Sequence, residues 1–287
     1  MMEFWGRALA AWSIGRTVAG AQYLGQGIGE ILWRALPSRR AWASHAVARH
    51  LGLEPRSAQK IARASFVHTG MAFAEILAGR AAGPRFLRER VVIDDLELVE
   101  RFYTSSRPLV VVSGHVGAWE LLVALIALLP QRPSCRVVVR LPKSPWARGF
   151  LLHARNFAQI QSVGHRDASS GVLQILRHGG VAAFLVDHHC QRREAVRLPF
   201  LGEEASVNRG PAVLAVRSQA EVWPLFLLRQ GCGKFHLVVS PPLDTRRLSG
   251  SPGKRVQSVC QFYTTAVEEI VRRWPEQWMW LHRRWKP

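Results

Sequence analysis

A histidine and a glutamate in the first half of the chain have the spacing expected of an acid–base pair. His115 and Glu120 follow a β-branched strand, where a turn containing Gly114 and Gly117 leads into an apolar helix. Two residues five positions apart in one helix point about 140° away from each other, whereas a histidine in a glycine-flanked turn can be reached by the glutamate. We therefore predict that Glu120 bonds one imidazole nitrogen and that the other nitrogen of His115 acts as a general base.

This predicted base needs no nucleophilic serine or cysteine, because the hydroxyl of an acceptor substrate can itself attack. The same spacing also arises from a turn histidine bonded to nearby backbone and from a glutamate favoured by the helix dipole. A purely structural role for the pair therefore stays open at this point.

The chain beyond residue 83 alternates between strand-like and helical runs. Leu109–Val112 and Val181–Asp187 read as strands, and the predicted helices run to Leu129, from Trp146 to about Ala158, from about Ser169 to His178, from about Gly210 to Ser218, and from about Lys254 to Arg273. Such alternation predicts an α/β domain with a mostly parallel sheet covered by helices. Because His115, Arg140 and Asp187 come at the carboxyl ends of predicted strands, we expect them at one edge of the sheet.

Residues 1–83 read as a helical N-terminal region, which divides the chain into this region and an α/β domain over residues 84–287. The segment from Phe4 to Trp33 carries Trp5, Leu9 and Trp12 at helical spacing and is interrupted by charges such as Arg16. We interpret it as an amphipathic helix at a membrane interface, neither a signal peptide nor a span. A helix packed on the domain's own core is an equally open interpretation.

The composition indicates an anionic partner. The 287 residues carry 39 Lys and Arg against 20 Asp and Glu, a net charge of +19, and include 11 tryptophans. Nucleic acid, an anionic membrane surface and acidic substrates would all fit the charge. The tryptophans favour a membrane surface, and the even spread of basic residues without an aromatic recognition motif argues against nucleic acid. The four cysteines lie far apart, as expected of reduced thiols in the cytosol.

Two short motifs suggest ligands but do not fit their expected context. The glycines of Gly25–Gly29 follow no strand, so we do not interpret them as a dinucleotide loop. The run His188–Cys190 has no distant residues at ligand spacing, so solvated loop residues explain it better than a metal site. We predict no metal and no cofactor.

Three motifs together resemble the bacterial lipid A late acyltransferases, the lauroyl and myristoyl transferases of lipopolysaccharide assembly. They are the turn Gly114–Glu120, the stretch Leu198–Gly202 with the following Arg209–Ala212, and the tryptophan- and arginine-rich Trp278–Lys286. Their order covers most of the chain. The resemblance implies a peripheral enzyme on the cytoplasmic face of the inner membrane. It would move a fatty acyl chain from acyl carrier protein or coenzyme A to a hydroxyl of an anionic glycolipid.

The same resemblance assigns roles to individual residues. It implies that His115 and Glu120 form the catalytic dyad, and an arginine and an aspartate of the family look similar to Arg140 and Asp187. We expect Arg140 and Asp187 to bind substrate. Arg140 would bind an anion or the developing negative charge, and for Asp187 a role in orienting a loop, or no role, stays open. Gly202, in the stretch beginning at Pro199, is expected to help shape the acceptor or acyl channel. This sequence departs from many relatives in having histidines after Asp187, where they have glutamine.

Other functions stay open beside this leading hypothesis. An acyltransferase acting on phospholipids or other glycolipids would share the same features, and a hydrolase would use water in place of the acceptor. A nucleic-acid-binding protein is the remaining alternative and rests on charge alone.

Overall fold

A computed structural model describes residues 17–78, 86, 89–126, 135–139, 144–145, 149, 160–164, 168–190, 195–231 and 233–285. It begins with three helices, α1 (Val18–Ala35), α2 (Pro37–Leu51) and α3 (Pro55–Ala78). Thr17 caps α1 through its side chain, and Gly52 ends α2 in the left-handed conformation that favours glycine. The predicted helical N-terminal region is thus seen from residue 17 onward.

Helices α1 and α3 approach each other closely because glycines face each other across the contact. A Cβ atom on Gly25 or Gly29 would lie 2.3–2.4 Å from backbone atoms of α3, and one on Gly70 would lie 2.3 Å from Gly25 O. The glycine run of α1 is therefore a packing surface in a helix interior. Trp33 is buried against Phe66 of α3 at a ring distance of 5.1 Å.

The other side of this helical layer leaves apolar groups in solvent. Tyr23 and Ile31 on α1 are 73% and 64% exposed. Trp5, Leu9 and Trp12 lie outside the described residues, so the amphipathic helix through them stays a prediction. No helix among the described residues is both long and apolar enough to cross a membrane.

The α/β part is built on one eight-stranded sheet. Its strands are β1 (Val91–Ile93), β2 (Leu109–Ser113), β3 (Cys135–Val139), β4 (Ile160–Gly164), β5 (Val181–Leu185), β8 (Glu221–Arg229), β9 (Phe235–Val239) and β10 (Leu243–Asp244). The order is β1-β9-β8-β2-β5-β3-β4, with β10 beside β8. All neighbouring pairs are parallel except β8 with β9 and β10 with β8. The mostly parallel sheet is therefore confirmed.

Five helices of this part lie in the described residues, and a separate hairpin stands beside the sheet. The helices are α4 (Leu96–Thr104), α5 (Trp119–Ile126), α6 (Ala168–Arg177), α7 (Gly210–Ser218) and α8 (Pro252–Arg273), and the hairpin strands are β6 (Ala195–Phe200) and β7 (Glu203–Asn208). The predicted helices near residues 169–178, 210–218 and 254–273 are confirmed. The predicted helix from Trp146 to Ala158 lies mostly outside the described residues.

Strand β2 lies at the centre of the sheet. This position explains why its sequence is a continuous β-branched run. Val110 and Val112 face a core cluster that includes residues of α7 and α8, whereas Leu109 and Val111 face a second cluster that includes Leu122 of α5. A strand buried on both faces has no polar alternation. The first polar positions after it are therefore those of the turn that carries His115.

Candidate active site

The turn after β2 is fixed by backbone hydrogen bonds to two other parts of the chain. Gly117 adopts φ 60°, and its N–H donates to the carbonyl of Gln277 at 3.0 Å. Ala118 N donates to Leu227 O of β8 at 2.7 Å. A Cβ on Gly117 would lie only 2.2 Å from that same Leu227 oxygen, so the tight approach requires glycine.

His115 is held in this turn by a buried carboxylate that comes from the end of β5. Asp187 Oδ1 lies 2.8 Å from His115 Nδ1, and Asp187 Oδ2 accepts the backbone N–H of His115 at 2.7 Å. Trp278 donates its indole N–H to the same Oδ2 at 2.8 Å. Since a carboxylate only accepts, Nδ1 carries the proton and Nε2 of the neutral imidazole is the acceptor nitrogen.

The environment keeps Asp187 ionised. Its side chain is fully buried, and burial alone would raise the pKa of the carboxyl. The charge of His115, the hydrogen bond to it, the nearby His282 and the Trp278 donor outweigh burial and hold the pKa well below its usual range. A fixed negative charge at Nδ1 is what stabilises an imidazolium when His115 accepts a proton.

Glu120 occupies the same site in a different position. It lies in the first turn of α5, is 5% exposed, and accepts the indole N–H of Trp119 at 3.2 Å. The bonded partner at Nδ1 of His115 is Asp187, where the sequence predicted Glu120. The role of Glu120 in catalysis stays a prediction.

A cavity of about 760 Å³ opens beside His115. Along β2 its lining passes from Val111 through Ser113 to His115, and along β5 from Ala183 through Leu185 to His188. Side chains two apart share a face of a strand, so Val111 and Ser113 of β2 and Ala183 and Leu185 of β5 lie on the same faces of their strands, and the lining becomes polar toward the carboxyl ends. Its apolar part is completed by the α5 side chains Leu122, Val123 and Ile126, by Phe73 and Ile76 of α3, and by Val137 of β3.

A second histidine approaches the base from the C-terminal segment that follows α8. The rings of His115 and His282 are 4.9 Å apart between centroids, and Nε2 of His282 is buried without a hydrogen-bond partner among the described residues. Burial, followed by the charge of His115, lowers the pKa of His282 to about 4. At neutral pH His282 is therefore an uncharged imidazole with one N–H to donate.

Arg140 and Gly202 were also predicted to bind substrate. Arg140 lies outside the described residues. Gly202 adopts φ 82° in the two-residue turn between β6 and β7, and it is not among the residues that line the cavity. The predicted convergence at the sheet edge therefore holds for His115 and Asp187. The substrate-binding roles of Arg140 and Gly202 stay predictions.

Two functional candidates were missed as site residues, Trp278 and His282, although both lie in the motif that carried the family resemblance. Their signal in the sequence was the dense run of aromatic and basic side chains after the last helix. What that run does not reveal is the antiparallel bridge between Trp278 and Val116, which brings the segment onto the His115 turn.

The comparison with protein families agrees with this site. The model for the bacterial lipid A biosynthesis acyltransferase family matches residues 14–287, so the chain belongs to that family. The chain is similar to the lipid A biosynthesis lauroyltransferase of Escherichia coli (strain K12), with 30% identity over 128 residues. That match covers 44% of this chain and 40% of the relative, so it spans about two fifths of the relative's length.

Proposed function

We propose that this protein is an O-acyltransferase that moves a fatty acyl chain from a thioester to a hydroxyl of an anionic glycolipid in lipid A biosynthesis. The observation that carries the proposal is the His115–Asp187 pair at the polar end of a largely apolar cavity of about 760 Å³. A hydrogen-bonded base beside apolar volume suits a reaction that joins a long acyl chain to a polar acceptor.

The base works on the acceptor hydroxyl. Nε2 of His115 takes the hydroxyl proton as the oxygen attacks the thioester carbonyl carbon, and Asp187 stabilises the resulting imidazolium. Collapse of the tetrahedral intermediate breaks the carbon–sulfur bond, and the proton held by His115 passes to the departing thiolate. Atoms and charges balance without any other reactant.

The negative charge on the carbonyl oxygen needs a donor, and the turn's own backbone offers little. The N–H groups of His115, Gly117 and Ala118 already donate to Asp187, Gln277 and Leu227. A side chain therefore supplies the donor, either Arg140, as predicted from the sequence, or the neutral imidazole of His282.

The substrates follow from the family and the predicted partners. The donor is an acyl chain on acyl carrier protein or coenzyme A, and the acceptor is an anionic lipid. The lauroyltransferase named above supports a saturated chain on a lipid A precursor, and the apolar lining by Val111, Leu122 and Ile126 supports an alkyl chain in the cavity.

We propose in addition that the protein lies on the cytoplasmic surface of the inner membrane. Leu36 and Phe73 are exposed apolar residues that also line the cavity, and Tyr23 and Ile31 extend the exposed apolar surface on α1. Together with the net charge of +19, they favour an anionic lipid surface next to the cavity opening.

The test is incubation of purified protein with acyl carrier protein and coenzyme A thioesters and anionic vesicles made from a membrane lipid extract, with mass spectrometry of the lipids. We expect an ester-linked acyl chain on an acceptor lipid. His115→Ala should lower turnover by about 10²- to 10⁴-fold, since it removes the general base. His178→Ala is the matched control, because His178 is exposed at the end of α6.

Two results would contradict the proposal. Turnover near the parent value in His115→Ala would exclude His115 as the base, and release of free fatty acid without an acylated lipid would indicate a hydrolase. Sedimentation of the same vesicles tests the location, because protein that stays in the supernatant at low salt does not bind this surface.

A further inference from the structure

Two arginines line the cavity without a carboxylate partner. Arg39 on α2 and Arg283 in the C-terminal segment are both exposed and both belong to the cavity lining. Neither forms an ion pair with any carboxylate in the described part of the chain. Arg63, on the same helical layer, differs in that it is paired with Glu30 through two hydrogen bonds.

Trp42 joins the two elements that carry these arginines. Its indole N–H donates to the carbonyl of His282 at 3.3 Å, which ties α2 to the C-terminal segment. Arg283 lies over the Trp42 ring at 5.7 Å from the centroid, and Arg39 precedes Trp42 by three positions on the same face of α2. Arg39 also reaches the C-terminal segment, with Nη1 3.4 Å from the Leu281 carbonyl.

The electrostatics of this corner suit an anion. Among the described residues that line the cavity, Glu120 is the single carboxylate, and it is buried and bonded to Trp119. Apart from the bond of Arg39 Nη1 to the Leu281 carbonyl, the guanidinium groups of Arg39 and Arg283 can therefore donate to a ligand. A guanidinium offers a planar fork of N–H groups that matches phosphate oxygens, and Arg283 is further oriented by its stacking on Trp42.

We propose that Arg39 and Arg283 form a binding site for a phosphate ester of the substrate, at the edge of the cavity whose interior holds the acyl chain. The inference rests on the proposed acyl transfer and adds the group that is recognised. Two sources supply this chemistry: the phosphates of the pantetheine arm of the donor, and a phosphate on the lipid acceptor. The site holds one end of a substrate while the base acts on another part of it.

The experiment compares R39Q/R283Q with R177Q/R217Q. The control pair removes the same two charges from exposed positions on α6 and α7 that do not line the cavity. Kinetics are measured with acyl coenzyme A and with the same acyl chain on N-acetylcysteamine, a thioester without phosphate. Acceptor lipid is supplied in phosphorylated and dephosphorylated forms.

We expect R39Q/R283Q to raise the KM of one phosphate-bearing substrate at least tenfold, with a larger effect on KM than on kcat. If the donor phosphate is bound, the KM of acyl coenzyme A rises and that of the N-acetylcysteamine thioester changes less than twofold. If the acceptor phosphate is bound, the KM of the phosphorylated lipid rises and that of the dephosphorylated lipid does not. R177Q/R217Q should leave all four values within twofold.

Unchanged KM values for both phosphate-bearing substrates in an active R39Q/R283Q protein would overturn the inference. An equal rise in KM in R177Q/R217Q would also overturn it, because the effect would then come from the general surface charge. Direct calorimetric binding of coenzyme A and of vesicle-embedded phosphorylated acceptor lipid is measured in parallel. This separates the two proposals: a parent protein that binds either ligand through these arginines but transfers nothing defeats the acyltransferase, not the phosphate site. If R39Q/R283Q binds both ligands as tightly as the parent protein does, the proposed phosphate site is wrong.

Discussion

Two tight turns of this protein are built alike and serve different ends. At the first, the N–H of His115 donates to a distant carboxylate, Asp187, at 2.7 Å. At the second, the hairpin turn between β6 and β7, the N–H of Leu201 donates to Glu268 of α8 at 2.9 Å. A glycine with positive φ follows in each, Gly117 at 60° and Gly202 at 82°.

The surroundings of the two carboxylates distinguish the proposed reactive site from a structural contact. The Asp187 side chain is fully buried, and its three donors are the backbone and ring of His115 and the Trp278 indole. Glu268 is 23% exposed and is neutralised by Arg272 one turn later on its own helix. The buried charge at Asp187 is directed at a titratable ring beside a cavity, whereas that at Glu268 fixes the position of a buried leucine.

The sharpest test of this difference is to remove each carboxylate charge while keeping its shape. Asp187→Asn should lower turnover by about 10²- to 10⁴-fold, because an amide neither stabilises the imidazolium nor fixes the tautomer. Glu268→Gln should leave turnover unchanged and lower the free energy of unfolding by about 1 kcal/mol, because it weakens a hydrogen bond and an exposed ion pair. Steady-state kinetics and urea unfolding of both variants provide the measurement.

Glu120→Gln belongs in the same series. With Asp187 bonded to Nδ1, we expect Glu120→Gln to reduce turnover less than Asp187→Asn does. The reverse order would return the orienting role to Glu120, as the sequence first suggested.

The two glycines provide a second contrast. Gly117→Ala combines positive φ with a Cβ 2.2 Å from the Leu227 carbonyl, so we expect it to lower the free energy of unfolding by at least about 3 kcal/mol and to inactivate the enzyme. No atom lies within 4 Å of a Cβ on Gly202, so Gly202→Ala should cost only about 1–2 kcal/mol of backbone strain. Equal losses of stability would refute this distinction, and a raised acceptor KM in Gly202→Ala would support its predicted role in binding.

The two turns should also differ, by a smaller effect, in how pH changes the free energy of unfolding. The pKa of His282, beside the first turn, falls from 6.5 to about 4 on folding. The unfolded chain therefore takes up a proton first as the pH falls, and the folded state loses up to about 3 kcal/mol between pH 6.5 and about 4. His282→Phe should flatten that part of the stability curve, whereas the exposed His45→Phe should not. Parallel curves for His282→Phe and the parent protein would show that His282 does not titrate as described.

The sequence predicted the elements whose signals are local. The β-branched run of β2, the proline-started helix α7 and the long closing helix α8 were all expected near their observed bounds. Strand β1 (Val91–Ile93) and helix α4 (Leu96–Thr104) were not predicted. Three residues are too short for a period, and the nine residues of α4, although they bury Val99 and Phe102, are shorter than the window in which a helical period is read.

The sequence predicted that His115 lies at the carboxyl edge of the sheet. It did not predict that Asp187 is the hydrogen-bonded partner of His115. His115 and Asp187 are 72 positions apart, and they meet because β2 and β5 are adjacent and parallel. Spacing along the chain favours Glu120, which is near in sequence, whereas strand order decides in favour of Asp187. The position of Trp278 could not be predicted for the same reason, since its bridge to Val116 depends on where the chain runs after α8.

The long-range closure of this site has a consequence for biosynthesis. A nascent chain made as far as Asp187 already contains His115 and its carboxylate partner. Trp278, whose indole donates to Asp187, lies 91 residues further along and has yet to be made, as has Gln277, whose carbonyl accepts from Gly117. Domains gain structure from the N-terminal side as they are made, so the turn gains these two hydrogen bonds only after residues 277 and 278 have been made. We therefore expect a chain cut before Gln277 to contain every described strand of the eight-stranded sheet and yet to lack both hydrogen bonds at the His115 turn.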